Sequence, residues 1–272
     1  MSKKYKLGVV GNPIEHSLSP FIHSRFARSE NINIEYLPYK VNDIDFDQFI
    51  KEFFNDVLSK GLNITLPYKK KAAGVDGDIS NEARFINAVN TIAKDNKNIY
   101  LHSTDGIGFI TDIKEDKSFN FEDTNILFIG AGASAESILY KVAQEKPRHI
   151  SIMNRTEEKA DRLIRKFSNI SSIDNAKDSS CNFDLIINCS SAGLTGDFEP
   201  VQEICVTKNA FFYDLNYSLV ETPFCKWASE KSDKVFDGIG MLVHQAAHSF
   251  NIWFKVFPET KPVLKDLESM RE

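Results

Sequence analysis

Thr124-Asn125-Ile126-Leu127-Phe128-Ile129-Gly130-Ala131-Gly132-Ala133-Ser134-Ala135 decides the fold. An apolar run of strand length passes without a spacer into Gly130-x-Gly132-x-x-Ala135, and helix-forming sequence follows to about Glu145. A strand that runs into a glycine turn and then a helix is the setting in which this pattern binds a dinucleotide. The first glycine permits the tight turn, the second lets the backbone approach a pyrophosphate, and the small third residue lets helix pack on strand. The helix start offers unpaired N–H groups and a positive dipole end to phosphate. The plain alternative is a glycine turn with no ligand.

Downstream, Pro147 breaks the helix and His149-Ile150-Ser151-Ile152-Met153 reads as the next strand, which completes a βαβ unit. The end of that strand selects the nucleotide. An acidic residue there would hold a ribose 2′-hydroxyl and repel a 2′-phosphate. This chain has Asn154-Arg155-Thr156, a guanidinium beside two neutral hydrogen-bonding side chains, which favours NADP. Glu157 and Glu158 follow and read as first-turn acids of another helix. A solvated surface charge is the ordinary alternative for Arg155.

Further strands fit residues 183–188 and 210–215. Upstream, residues 5–10 read as a strand, Ser19-Pro20 as an N-cap and first turn, and 34–41 as a second strand. Asp43 to Lys60 carries Phe46, Phe49, Ile50, Phe53, Phe54, Val57 and Leu58 at helical spacing, with Gly61 as a stop. Residues 62–65 form a short strand, and 88–94 with 99–103 flank the turn-rich Asp95-Asn96-Lys97-Asn98 as a hairpin. Residues 239–257 read as a helix with Met241, Leu242, Ala246, Phe250, Trp253, Phe254 and Phe257 on one face. The alternation predicts an α/β protein with parallel strands in two domains. The expected limits are 1–105 for the first domain, with 238–272 returning to it, and 106–237 for a Rossmann-like, doubly wound nucleotide domain.

Composition narrows the functional classes. With 33 basic against 38 acidic residues in 272, the net charge of −5 disfavours a dedicated nucleic-acid or anionic-membrane binder. No apolar run approaches the ~20 residues of a membrane helix, and the N-terminal apolar stub is too short for a signal-peptide core. The four cysteines, Cys181, Cys189, Cys205 and Cys225, form no CxxC pair and read as reduced thiols of a cytoplasmic protein.

Polar clusters recur at the predicted strand ends: Ser17-Leu18-Ser19, Asn63-x-Thr65-x-x-x-Lys69, Asn87-Ala88-Val89-Asn90-Thr91, Ser103-Thr104-Asp105-Gly106-x-Gly108, Asp214-x-x-Tyr217 and Gly238-x-Gly240-x-x-x-x-Gln245. On the residues alone each has a bland reading. Ser19 is a helix cap, Lys69 belongs to the solvated run Lys69-Lys70-Lys71, Asp105 caps a helix near Gly106, and Gln245 makes an internal hydrogen bond. His244 and His248 stand four apart on a helix, but Gln245-Ala246-Ala247 between them is not the zinc-protease pattern, and no metal is expected.

Taken in order with the nucleotide motif, these clusters resemble the shikimate dehydrogenase family along nearly the whole chain, from Gly11-Asn12-Pro13-Ile14 to Gln245-Ala246-Ala247-His248. The resemblance implies NADP-dependent reduction of 3-dehydroshikimate to shikimate, a step in aromatic amino-acid biosynthesis. It implies a substrate domain, an NADP domain and a cleft between them. Carried across motif by motif, Lys69 and Asp105 match the catalytic pair. Ser17 and Ser19 match hydroxyls that bind the substrate carboxylate, with Tyr217 as a helper. Thr65, Asn90 and Gln245 match residues that bind substrate hydroxyls or align the site. The implied nucleotide set is Gly130, Ala131, Gly132, Ala133, Ser134, Asn154, Arg155, Thr156, Lys159, Leu215 and Gly238. The implied partner is a small molecule, with no nucleic acid and no membrane, in a monomer or homodimer.

The sequence departs from the family pattern at Ala133-Ser134, where Gly-Ala is usual, at Ser103, where Asn is usual, and in the loop Asn188-Cys189-Ser190-Ser191-Ala192-Gly193-Leu194, expected beside the nicotinamide. None of these removes a reacting group. The rival readings are an NAD-using quinate/shikimate dehydrogenase, which Asn154-Arg155-Thr156 argues against, and a non-catalytic ligand-binding module, which Lys69 and Asp105 argue against.

Overall fold

A computed structural model describes residues 3–179, 182–190 and 197–271. Cys181 and the Ser191–Leu194 part of the loop singled out above lie outside the described residues. The chain divides into two units, 1–108 with 243–266, and 109–242 with 267–272.

The first unit runs β1 (Tyr5–Gly11), α1 (Ser19–Ser29), β2 (Ile34–Lys40), α2 (Phe46–Asn55), β3 (Ser59–Ile64), α3 (Lys69–Ala72), β4 (Asp78–Ile79), α4 (Asn81–Ile86), β5 (Thr91–Asp95), β6 (Asn98–His102) and the start of α5 (Asp105–Thr111). Its six-stranded sheet has the order β2-β1-β3-β5-β6-β4. β2, β1 and β3 are parallel, whereas β5 pairs antiparallel with both β3 and β6. The hairpin turns at Asn96, in the left-handed region at φ 56°.

The second unit carries β7 (Asn125–Ile129), α6 (Ala133–Gln144), β8 (His149–Met153), α7 (Glu157–Phe167), β9 (Ile173–Asn175), β10 (Phe183–Asn188), β11 (Val206–Asp214), α8 (Pro223–Ser229) and β12 (Val235–Phe236). Its six strands lie in the order β12-β11-β10-β7-β8-β9 and pair in parallel throughout. That order reverses between β7 and β10, which is where a doubly wound sheet opens a ligand crevice. The central strands are covered on both faces, so Ile126, Leu127, Phe128, Leu185, Ile186 and Ile187 are all buried. α9 (Ile239–Phe254) and α10 (Lys261–Glu268) complete the chain, the division between units falling inside both.

Several local expectations need correction. The helix expected over 43–60 ends at Asn55, and Gly61 lies inside β3 instead of stopping a helix. Asp56 is the reason: its Oδ1 accepts the Leu58 N–H at 2.8 Å, an Asx turn that bends the chain out of the helix. Backbone pairing with β1 then claims Ser59 and Gly61 for the sheet, and leaves Val57 exposed. Gly61 suits that place because a Cβ there would collide with the Trp253 indole. Ser19 is the first residue of α1, not its cap; Ser17 Oγ accepts the Ser19 N–H at 3.3 Å. The last long helix stops at Phe254, where Lys255 turns left-handed (φ 59°), and Phe257 is half exposed instead of lying on its apolar face.

Candidate active site

β3 ends at Ile64, and one turn later the short α3 opens on Lys69. β6 ends at His102, and α5 begins on Asp105. These two chain reversals bring Lys69 Nζ to 2.6 Å from Asp105 Oδ2. The side chains are only 12% and 6% exposed, so Lys69 is not part of a solvated lysine face. Lys71, two residues on, does turn outward to the Asp43 backbone oxygen and carboxylate. Asp105 is not a simple helix cap either, since its second oxygen accepts the Asn90 amide Nδ2 at 2.8 Å. A carboxylate held on both oxygens by an ammonium and an amide has a fixed direction.

Asn90 is buried and bonded on every side. Its Oδ1 accepts the Thr104 N–H at 2.8 Å and the Thr91 hydroxyl at 2.9 Å, and its Nδ2 also lies 3.3 Å from Gln245 Oε1. Gln245 comes from α9, and its backbone packs where a Cβ on Gly108 would sit. The internal hydrogen bond expected of Gln245 is therefore present, and it is made to the same group that holds Asp105. Lys69, Asp105, Asn90 and Gln245 form one cluster of the first unit.

Ser17 lies just before α1, and Ser19 opens it. Burial pushes the Tyr36 phenol well above its ordinary range, and the Ser19 hydroxyl opposes that rise. Tyr36 in turn donates to Asn63 Oδ1 at 2.8 Å. Thr65 lies in the turn after β3, its methyl 2.5 Å from where a Cβ on Gly11 would fall. Tyr217 belongs to the other unit, where burial raises its phenol.

In the second unit, Gly130 takes φ +107°, and a Cβ on it would lie 2.9 Å from the Ser190 nitrogen; only glycine suits that turn. Gly132 is the opposite case, with no atom within 4 Å of its would-be Cβ. Open ground above a glycine, at the start of the 12-residue α6, fits a pyrophosphate held on backbone N–H groups. Asn154 ties this loop to the end of β8: its Oδ1 accepts the Ala131 N–H at 3.1 Å and its Nδ2 donates to the Thr156 oxygen at 2.7 Å. Arg155, Thr156 and Lys159 are exposed beside it. Glu157 and Glu158 fall in the first turn of α7, and the Glu157 carboxylate is engaged by Lys177 at 3.0 Å. Leu215 and Gly238 meet directly, since a Cβ on Gly238 would strike the Leu215 carbonyl. The donor set therefore suits NADP: amides for the pyrophosphate and an exposed guanidinium for a 2′-phosphate.

Three family descriptions match in succession: the shikimate dehydrogenase substrate binding domain over residues 9–92, shikimate / quinate 5-dehydrogenase over 112–214, and the shikimate 5′-dehydrogenase C-terminal domain over 238–268. The shikimate dehydrogenase (NADP(+)) of Colwellia psychrerythraea is 39% identical over 264 residues, which cover 96% of this chain and 95% of that one. The chain belongs to the shikimate dehydrogenase family. Among solved structures, shikimate dehydrogenase from Aquifex aeolicus superposes with a TM-score of 0.85 at 29% identity, covering 98% of each chain. A shikimate dehydrogenase in complex with NADP+ gives 0.87 at 27% identity, covering 100% of this chain and 96% of that one.

Within this shikimate dehydrogenase framework, several residues of both sites were absent from the sequence-based set. Thr104 donates its backbone N–H to Asn90 Oδ1, the Thr91 hydroxyl donates to the same oxygen, and Asn63 and Ser249 bond Thr91 in turn. Asp214 accepts from Asn188, from the Asn216 backbone and side chain, and from Thr222, so it fixes the turn that bears Leu215 and Tyr217. Burial raises the Asp214 carboxyl above its usual range, while these four donors oppose the rise. Asn63, Thr104 and Asp214 each stood inside a quoted motif, which was the available signal. Ser249, on an apolar helix face, gave none.

Proposed function

We propose that this chain is an oxidoreductase that reversibly reduces 3-dehydroshikimate to shikimate with NADP(H), a step of the shikimate pathway. The observation that carries the reading is the Lys69–Asp105 pair, shielded from solvent and oriented by Asn90. When bound, NADPH supplies the hydride that reduces the carbonyl carbon. The alkoxide left on the ring must then gain a proton. Lys69, as an ammonium, polarises the carbonyl and donates that proton through Nζ; in the reverse direction the neutral amine removes it from the hydroxyl. Asp105 holds Lys69 in place and accepts a substrate hydroxyl. Asn90, Gln245 and Thr65 offer mixed donors and acceptors for the remaining hydroxyls, and Ser17 and Ser19, aided by Tyr217, donate to the carboxylate. Gly130 to Ser134 cradle the pyrophosphate, Asn154 to Thr156 with Lys159 take the 2′-phosphate end, and Leu215 with Gly238 border the nicotinamide.

The proposed division of labour is residues 1–105 with 238–272 for the substrate and 106–237 for NADP. We place the enzyme in the cytoplasm as a monomer or homodimer. Cys189, Cys205 and Cys225 are free thiols, as a reducing compartment would leave them, and no helix among the described residues is long and apolar enough to cross a membrane. Steady-state rates with shikimate or quinate and NADP or NAD test the assignment. The expected preference is shikimate with NADP; a preference for quinate with NAD contradicts it.

A further inference from the structure

We propose that Thr91 and Ser249, two buried hydroxyls with no part in the chemistry, are positioning residues that lock the Asn90 amide and through it aim Asp105 at Lys69. The inference rests on the roles just given to Lys69 and Asp105. Ser249 is fully buried on α9 between Ala246, Phe250 and Trp253, where a hydroxyl is unfavourable unless it is bonded. Its Oγ lies 2.7 Å from Thr91 Oγ1, 3.2 Å from Thr104 Oγ1 and 3.0 Å from the Gln245 carbonyl, and it receives Asn63 Nδ2 at 3.0 Å.

The amides in this network can face only one way. Asn63 Nδ2 lies 3.2 Å from the Asn90 carbonyl, which is only an acceptor, so that atom is the nitrogen. Asn90 Oδ1 receives the Thr104 backbone N–H, which is only a donor, so that atom is the oxygen and Nδ2 faces Asp105. The Thr91 hydroxyl spends its proton on the same Oδ1. It can do so because Asn63 Nδ2, at 3.3 Å, supplies a donor that Thr91 accepts, while Ser249 Oγ, 2.7 Å from Thr91 Oγ1 and 3.0 Å from the Gln245 carbonyl, has a single proton to share between those two acceptors. The order of donation runs from Tyr36 through Asn63 to Thr91, and ends on Asn90. One buried network thus joins Tyr36 on β2 with the acid–base pair. Removing the Thr91 or Ser249 hydroxyl takes support from one side of the Asn90 amide and loosens its aim at Asp105, while the Thr104 N–H still holds Oδ1.

Thr91→Val keeps the shape of the side chain and removes the hydroxyl, whereas Thr91→Ser keeps the hydroxyl. Each is compared with wild type and Ser249→Ala in shikimate oxidation by NADP and in the NMR signals of the Asn90 side-chain amide in ligand-free protein. Thr91→Val and Ser249→Ala are expected to lower kcat about tenfold, the rate equivalent of one buried hydrogen bond, with a smaller rise in KM for shikimate and none for NADP. The Asn90 amide signals move with them, and Thr91→Ser retains the wild-type rate and signals. An Asn90 signal that stays put in Thr91→Val, or an equal loss in Thr91→Ser and Thr91→Val, overturns the proposal. A wild type inactive on shikimate strikes the functional reading instead, since the amide signals are read without substrate. If Ser249→Ala does not fold, the two Thr91 variants decide the matter alone.

Discussion

Lys69 and Arg155 are the two cations on which the functional reading depends, and their surroundings differ in every respect. Lys69 is almost enclosed, 2.6 Å from a carboxylate whose other oxygen is held by a buried amide. Arg155 stands exposed at the end of β8, next to an asparagine that is itself tied to the glycine loop. A ring acid with fixed hydroxyls is told from its isomers by where donors and acceptors point, so its site must be rigid before the ligand arrives. A terminal phosphate presents the same charge from all sides, and a long cation in solvent can find it. The contrast teaches that rigidity was placed where the chemistry is directional and left out where charge alone suffices.

The largest effect should come from breaking the enclosed region. Asp105→Asn keeps the size of the side chain and removes the charge that fixes Lys69; kcat should fall on the order of 10²-fold or more. Steady-state kinetics checks this, and KM for NADP should stay near the wild-type value.

A second break reaches a buried imidazole of the first unit. Burial among Phe26, Tyr36, Phe250 and Trp253 pushes the His23 imidazole down to about 3 from its ordinary 6.5, with the Asn63 side chain opposing only in part. The folded protein thus keeps His23 neutral where the unfolded chain protonates it. The unfolded state binds the extra proton between those two values, so stability is full above 6.5 and falls as pH drops toward 3. The slope from this one group approaches about 1.4 kcal/mol per pH unit. Urea unfolding across that window should show the slope, and His23→Phe should flatten it.

The smallest effect should come from the open region. Arg155→Ala should raise KM for NADP roughly tenfold, the loss of one charge-assisted contact, and leave NAD use nearly unchanged. An equal effect on both cofactors would show that Arg155 does not read the 2′-phosphate, and the contrast with Lys69 would lose one side.

The same contrast explains what the sequence disclosed. Gly130-x-Gly132 could be read because a strand, a turn and a helix are local, and each glycine answers to a local demand. Asn154-Arg155-Thr156 was legible for the same reason. The enclosed region is assembled from β3, β5, the start of α5 and α9, which are far apart in the chain, and its residues look ordinary in isolation. Lys69 sits in a lysine run, and only the family pattern set it apart. Ser249 and Thr91 matter because of neighbours more than a hundred positions away, a relation that periodicity does not carry. The helix drawn through Asp56 to Lys60 failed because sheet pairing outweighed a helical apolar pattern. β9 and β12, three and two residues long, were too short to leave a pattern at all.

The central claim is that Lys69 carries the proton while other residues hold the ring. Lys69→Ala measured side by side for shikimate affinity, by calorimetric titration, and for NADP-linked turnover tests it most directly. The account predicts turnover reduced on the order of 10³-fold or more with affinity changed only modestly. Turnover equal to that of the wild type would contradict it.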